Sequence, residues 1–232
     1  MDTVKIKVHQ DIFDLSYAML RELEIEISKS HFMEIGVRID LAKQSISISY
    51  EHAKGVNKLL ANNLPIPAMV LFRVQFEAVL RAFWIMFVAD GNQIASLSFG
   101  YTMEEQFKKE KYPTATEMIN LLASANLPAR DVVEHFKMFK KYHLKQLNSF
   151  VHTGKQSFTR DLLGFDIEIL MDVLRQSNNL VTIAAQLLFT LTLPDKQKYI
   201  GNLIQKYRHC FYMDQDVDNE KRQRVDSYFD GK

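Results

Sequence analysis

The segment from about Pro67 to Asp90 is apolar on nearly every side, and this feature limits what the chain can fold into. A surface helix keeps one polar face, whereas a helix that is apolar all round needs neighbours on every side. Arg73, Glu77 and Arg81 interrupt the apolar run, which argues against a membrane span. The segment is therefore predicted to be the central helix of a bundle.

Apolar residues recur at three- and four-residue steps over most of the remaining chain, which is the spacing of amphipathic helices. Composition agrees, because 232 residues contain only 8 Gly and 5 Pro, and folds made of strands and tight turns need more of these turn-forming residues. The predicted helices cover about 6–27, 31–60, 67–90, 114–125, 130–150, 166–191 and 195–213. The sequence predicts an all-α, single-domain bundle of about six to eight helices over residues 1–213, with a charged, loosely ordered tail at 214–232.

Charge and cysteine content limit the possible functions. The 29 Lys+Arg nearly cancel the 28 Asp+Glu, so a formal charge of +1 excludes a globally basic nucleic-acid coat but permits a local basic face. Cys210 is the single cysteine, which rules out an internal disulfide and fits a reducing compartment. The N-terminal residues lack the apolar run of a signal peptide. We therefore expect a cytoplasmic protein with no membrane association.

Common cofactor and metal motifs are absent from the sequence. It contains no phosphate-loop, dinucleotide-binding or zincin pattern. Its seven histidines and one cysteine do not have the spacing of a zinc site. We expect no cofactor and no metal.

Arg73, Glu77 and Arg81 form the first candidate site, because four-residue spacing aligns them along one helix face. Charges on a helix this apolar are either paired in the interior or directed into a cleft. One interpretation is a structural ion network that joins this helix to its neighbours. The other is an anion site, in which the guanidinium groups bind phosphate, or a small anionic ligand inside the bundle, and Glu77 orients them.

The second candidate site lies in the stretch from Lys137 to Lys155, which contains five lysines and no acidic residue. Lys141, Lys145, Asn148 and His152 are spaced so that a regular helix places them on one face. A histidine at the end of a basic helix suits proton transfer beside a phosphodiester, although such a histidine is also a common helix cap. The lysines expected to contact nucleic-acid phosphates are Lys137, Lys141, Lys145 and Lys155.

Together, the RxxxExxxR helix and the later Leu147–Gly154 segment, LNxxVHxG, resemble bacterial members of the HEPN superfamily. In that superfamily an Rx4-6H motif forms a metal-independent ribonuclease site across a dimer. The resemblance implies that His152 and Asn148 occupy the histidine and polar positions of the motif. It also implies a homodimer that acts on RNA in a toxin or phage-defence system. Leu147 stands where the motif arginine would be, so Arg73 or Arg81 would have to substitute for it in space.

A literal match to the motif pattern lies at Arg130–His135, RDVVEH. We rank it second, because its neighbourhood lacks the lysine face and the following glycine. The alternative to a ribonuclease is a noncatalytic helical module that dimerises or binds a protein partner. In that case the charged residues of the central helix and His152 are structural. The hypotheses differ in one geometric expectation: a ribonuclease needs an arginine of the central helix and His152 at one solvent-reached cleft.

Overall fold

A computed structural model describes residues 3–29, 36–98, 112–125, 127, 130–196 and 198–211, with residues 3–10 and 194 described by backbone alone. Its α-helices are α1 (Thr3–Lys29), α2 (Val37–Ala61), α3 (Pro65–Phe87), α4 (Gly91–Leu97), α5 (Ala115–Ser124), α6 (Arg130–Phe139), α7 (Lys145–Val151), α8 (Lys155–Leu163), α9 (Ile167–Thr192) and α10 (Tyr199–Lys206). The described residues contain no strand, so the predicted all-α fold is confirmed. None of these helices is long and apolar enough to cross a membrane.

The apolar helix α3 lies at the centre of the bundle. It begins at Pro65, where the missing N–H of proline costs nothing because first-turn N–H groups have no partner within the helix. Helices α2, α5, α7, α8 and α9 all pack on it, and Phe72 and Trp84 are fully enclosed. A Cβ added to Gly55 of α2 would come within 2.6 Å of Leu71 Cδ1, so α2 and α3 meet at close range.

Buried hydrogen bonds fix the position of α9 against α3 and α1. Gln75 Nε2 donates to the carbonyl of Ser177 at 2.8 Å, and Ser177 Oγ donates back to Gln75 Oε1 at 2.6 Å. Asn178 accepts from Ser16 Oγ at 3.0 Å and donates to the carbonyl of Cys210 at 2.8 Å. Buried polar groups without partners are costly, so these bonds favour one alignment of the three helices.

The C-terminal part of the chain differs from the prediction. The sequence predicts one helix over 195–213, whereas the structure has a 3-10 turn, α10 and a second 3-10 turn, Arg208–Cys210. The helix ends early because the chain turns at Tyr207, which buries Cys210 and Phe211 and brings the Cys210 carbonyl to Asn178. Helix α8 lies in a segment for which the sequence predicts none. The tail at 214–232 lies outside the described residues.

Replacing Gln75 by methionine tests the buried pair. The change keeps the side-chain volume but removes both hydrogen bonds with Ser177, so the free energy of unfolding is expected to fall by about 1–3 kcal/mol. Urea denaturation followed by circular dichroism measures it. The matched control is Gln186→Met on α9, where the amide of Gln186 bonds Thr190 at an exposed position; its expected effect is within about 0.5 kcal/mol. Equal losses in the two variants would contradict a special role for Gln75.

Candidate functional site

Arg73 of α3 is held by two side chains, one of which comes from another helix. Its Nε donates to Oδ1 of Asn148 on α7 at 2.6 Å, and its Nη1 lies 2.5 Å from Oε2 of Glu77, one turn along α3. The side chain of Arg73 remains 15% exposed and that of Glu77 29% exposed. A guanidinium carries five N–H donors in one plane, so these contacts set its orientation and leave further donors for another acceptor. The two candidate segments of the sequence therefore meet at Arg73 and Asn148.

Arg81 lies about two turns further along α3 and has a different partner. Its guanidinium carbon is 4.7 Å from the centroid of the Tyr112 ring, a cation–π contact that restricts the side chain. Among the described residues no hydrogen bond or ion pair joins Arg81 to Asn148 or His152. The structure therefore separates the two predicted arginines: Arg73 reaches α7, and Arg81 stacks on Tyr112.

His152 is the C-cap of α7, and its side chain is exposed. Its backbone N–H donates to the carbonyl of Asn148 at 3.1 Å, so one helical turn separates the two residues. No hydrogen bond or ion pair within the described chain engages the His152 imidazole, which is open to solvent. The Oδ1 of Asn148 is bonded to Arg73 instead. Asn148 is thus placed to orient the arginine, whereas the sequence-based hypothesis has it orienting the histidine.

The turn after α7 is a Schellman motif with an uncommon residue in its left-handed position. Gly154 N–H donates to the carbonyl of Ser149 at 2.6 Å, Thr153 N–H to that of Phe150 at 3.4 Å, and Thr153 has φ 50°. This position favours Gly or Asn, since a β-branched residue is strained at positive φ. By comparison, α2 ends in the same motif with Asn63 at φ 56°. Backbone strain therefore sits directly beside the candidate histidine.

Ser149 ties this turn to the helix that follows it. Its Oγ accepts from the backbone N–H of Gln156 at 3.0 Å, and its carbonyl accepts from Ser157 Oγ at 3.1 Å. A Cβ on Gly154 would come within 2.6 Å of Ser149 Oγ, so the tight passage from α7 to α8 requires glycine. The candidate site consequently ends in a turn of defined geometry.

A π-helical turn, Lys140–Leu144, joins α6 to α7 where the sequence predicts regular α-helix. The buried apolar residues on this helical stretch are Val133, Phe136, Phe139, Leu144, Leu147 and Phe150. Their spacing is three residues everywhere except across the π turn, where it is five. A π turn takes up extra residues, so side chains before and after it are offset from the single face that uniform α-helical spacing predicts. The lysine face does not continue unbroken to His152.

The four predicted RNA-binding lysines, Lys137, Lys141, Lys145 and Lys155, are all exposed. Lys137 pairs with Glu134 at 2.6 Å, which offsets part of its charge. Lys141 Nζ lies 4.7 Å from the centroid of the Tyr142 ring, a cation–π contact. Lys145 and Lys155 form no ion pair with any described residue. The basic surface therefore consists mainly of Lys141, Lys145 and Lys155.

The two residues of the second-ranked motif, Arg130 and His135, lie on different faces of α6. Arg130 is exposed at the start of α6 and lines a depression of about 260 Å³ together with Glu134 and Lys137. His135 does not line this depression. Residues five apart in an α-helix are separated by roughly 140° around the axis, so Arg130 and His135 do not share a face.

His143 is a titratable residue next to the candidate site that no sequence motif singles out. It lies within the π turn, and its ring centroid is 5.2 Å from that of Phe139. Burial, together with the positive charge that the neighbouring His135 can carry, lowers the pKa of His143 to about 4. His143 is therefore neutral at pH 7. The one sequence signal at this position is the five-residue spacing between the apolar residues Phe139 and Leu144, which departs from α-helical spacing.

The fold and the site define an all-α protein in which an arginine of the central helix contacts the end of a second helix that carries a histidine. Residues 46–213 match the family of unknown function DUF6988, and the chain belongs to that family. No curated protein and no solved structure shows significant similarity to the chain. Within the described residues, no three His, Cys, Asp or Glu side chains lie close enough together to hold a metal ion.

Thr153→Gly tests the strain beside His152. Glycine relieves the positive φ but is more flexible in the unfolded chain, so the expected net gain in the free energy of unfolding is about 0.5–1 kcal/mol. Chemical denaturation measures this gain. Asn63→Gly serves as the control, because asparagine already tolerates the left-handed region and little change is expected. A loss of stability in Thr153→Gly would show that the threonine is not strained there.

His143 is expected to make stability depend on pH. The folded protein has a pKa of about 4 at this imidazole against an ordinary value of 6.5, so between these values the unfolded chain binds more protons. Stability should therefore fall as the pH drops from 6.5 to 4, by at most about 1.4 kcal/mol per pH unit from this group. His143→Phe should flatten that part of the profile in urea titrations at a series of pH values. His209→Phe, at an exposed position, should not, and an unchanged profile in His143→Phe would refute the assignment.

Proposed function

We propose that this chain is a HEPN-like RNA-acting protein, a metal-independent endoribonuclease of a toxin or phage-defence system that works as a homodimer in the cytoplasm. The observation that carries the proposal is the 2.6 Å hydrogen bond from Arg73 Nε to Asn148 Oδ1, because it links the two segments on which the resemblance depends. The lone buried thiol of Cys210 supports a reducing compartment.

Arg73 takes the place of the missing motif arginine. Leu147 is 2% exposed in the core and cannot serve a substrate, but its neighbour Asn148 bonds the guanidinium of Arg73. Glu77 holds the same guanidinium from the other side. A guanidinium oriented in this way presents its remaining donors to a phosphate, and it can stabilise the charge that develops there during cleavage.

His152 is the proposed general base. It accepts the proton of a ribose 2′-hydroxyl, and the 2′-oxygen attacks the adjacent phosphorus. The bond from phosphorus to the 5′-oxygen then breaks, and protonation of that oxygen gives a 5′-hydroxyl end beside a 2′,3′-cyclic phosphate. Lys141 and Lys145 bind the flanking phosphates, so binding weakens with salt. Arg81, stacked on Tyr112, contributes positive charge at a distance.

A noncatalytic interaction module is the second candidate, and two observations favour it. Leu147, at the motif arginine position, is a core residue, and the carboxylate of Glu77 already offsets the charge of Arg73. In this case the Arg73, Glu77 and Asn148 contacts join α3 to α7, and His152 ends a helix. The site then has no substrate, and the protein acts by binding a partner.

Cleavage of RNA in the presence of EDTA tests the proposal. The purified chain should cut single-stranded RNA, and His152→Ala should slow the cleavage by about 100-fold or more, the usual contribution of a general acid–base residue. His209→Ala, which changes another exposed histidine, is the matched control and should keep full activity. Gel electrophoresis of labelled RNA, with detection of the cyclic phosphate end, gives the rate and the product.

Two results would overturn the ribonuclease assignment. One is equal cleavage by the wild type and His152→Ala, which would place the base elsewhere or reveal a contaminant. The other is a wild type that neither cleaves RNA nor retains it in filter binding at low salt. The second result would support the noncatalytic module.

A further inference from the structure

Helix α8 is inverted relative to an ordinary amphipathic helix. Its inward side is polar, with Ser157 6% and Arg160 8% exposed. Its outward side is apolar, with Phe158 67%, Leu162 83% and Leu163 72% exposed. These three side chains form an exposed apolar patch on the order of 400 Å², a size at which a patch on a soluble protein commonly serves an interaction.

The patch is presented by an anchored helix. At the start of α8, the backbone of Gln156 and the hydroxyl of Ser157 both bond Ser149 of α7. At its end, Gly164 adopts φ 76° and its N–H donates to the carbonyl of Arg160 at 2.8 Å. Because the start of α8 is bonded to α7 and its polar side is buried, the leucines cannot turn inward without breaking the bonds to Ser149 and exposing Ser157 and Arg160.

We propose that α8 packs antiparallel against α8 of a second copy of this chain, about a two-fold axis at Phe158. In such a pair, residues equidistant from Phe158 face each other. Lys155 and Asp161 each lie three residues from Phe158, so Lys155 of each copy faces Asp161 of the other. Both residues are exposed, and neither forms an ion pair within the described chain.

Leu162 supports the same arrangement. Four residues before Phe158 stands Gly154, which has no side chain and leaves room for Leu162 of the second copy. Leu163 of the second copy then lies beside the strained turn at Thr153, next to His152. The apolar patch supplies roughly half of the about 800 Å² that each partner buries in a standard interface, and the exposed turn before α8 adds to it.

The charge pattern favours a second copy over other occupants. A helix that lies on a membrane surface typically carries lysine and arginine around its apolar face, whereas here Asp161 adjoins the leucines. An unrelated protein partner has no reason to match the equal spacing of Lys155 and Asp161 about Phe158. A second α8 matches it by symmetry.

Light scattering coupled to size-exclusion chromatography tests this interface. The wild type should run as a dimer at micromolar concentrations, and Leu162→Glu should weaken dimerisation by about 100-fold or more, because it buries a charge in an apolar contact. Leu121→Glu on α5, also at an exposed leucine, is the matched control and should stay dimeric. Circular dichroism confirms that both variants are folded. A monomeric wild type, or a Leu162→Glu variant that remains dimeric, overturns the proposal.

A charge exchange tests the antiparallel geometry. Asp161→Lys alone should weaken the dimer about tenfold, because it places like charges opposite each other, and Lys155→Asp alone should do the same. The double variant, Lys155→Asp with Asp161→Lys, should recover the wild-type dissociation constant. Only an α8 that meets another α8 predicts this rescue. A double variant no tighter than the single ones refutes the arrangement.

The proposed α8 interface rests on the proposed function only in that both expect two copies of the chain. The interface and the ribonuclease activity can be refuted separately. A dimer that is sensitive to Leu162→Glu but does not cleave RNA supports the interface and overturns the ribonuclease. A monomer that cleaves RNA through His152 supports the ribonuclease and overturns the interface. Binding of the monomeric wild type to anionic vesicles, or to an unrelated protein, also overturns it.

Discussion

The burial of most of the surface of α3 is the constraint on which the rest of this structure depends. A helix that is apolar all round is stable in water only when other helices cover it, and α2, α5, α7, α8 and α9 do so. The polar side chains on α3 must then find partners within that cover. Gln75 finds Ser177 of α9, and Arg73 finds Asn148 of α7. The candidate site is therefore a direct consequence of enclosing an apolar helix that carries a few charges.

The site combines one immobilised group with one unconstrained group. The guanidinium of Arg73 is fixed by a carboxylate and an amide, whereas the imidazole of His152 stands in solvent at the end of α7. His143, only nine residues earlier, is partly buried, and its lowered pKa of about 4 keeps it neutral at pH 7. Two histidines on one helical stretch thus have opposite environments. Because both residues are histidines, their positions in the fold alone account for the difference in solvent contact.

Part of this arrangement was predictable from the sequence, and the rest was not, for identifiable reasons. The central place of α3 follows from its composition, and apolar spacing predicts a helix over 114–125, where the structure has α5 with a capping box of Thr114 and Glu117. Arg73 and Asn148 each stand out by their spacing, but their contact depends on how α3 and α7 pack. Helix α8 is not predicted because its apolar side chains face outward. The π turn is not predicted because α-helical spacing consists of three- and four-residue steps, and the step across this turn is five residues.

The π turn between α6 and α7 also sets the rotation of everything that follows it. Removing one residue from a helix turns the downstream part by about 100° around the axis. With regular α-helix through residues 140–144, either the phenylalanines of α6 or Leu147 and Phe150 of α7 would leave the core. The irregular turn lets both sets stay buried while Asn148 keeps the azimuth that meets Arg73. A single local irregularity in the backbone thereby aligns two helices with the core and with each other.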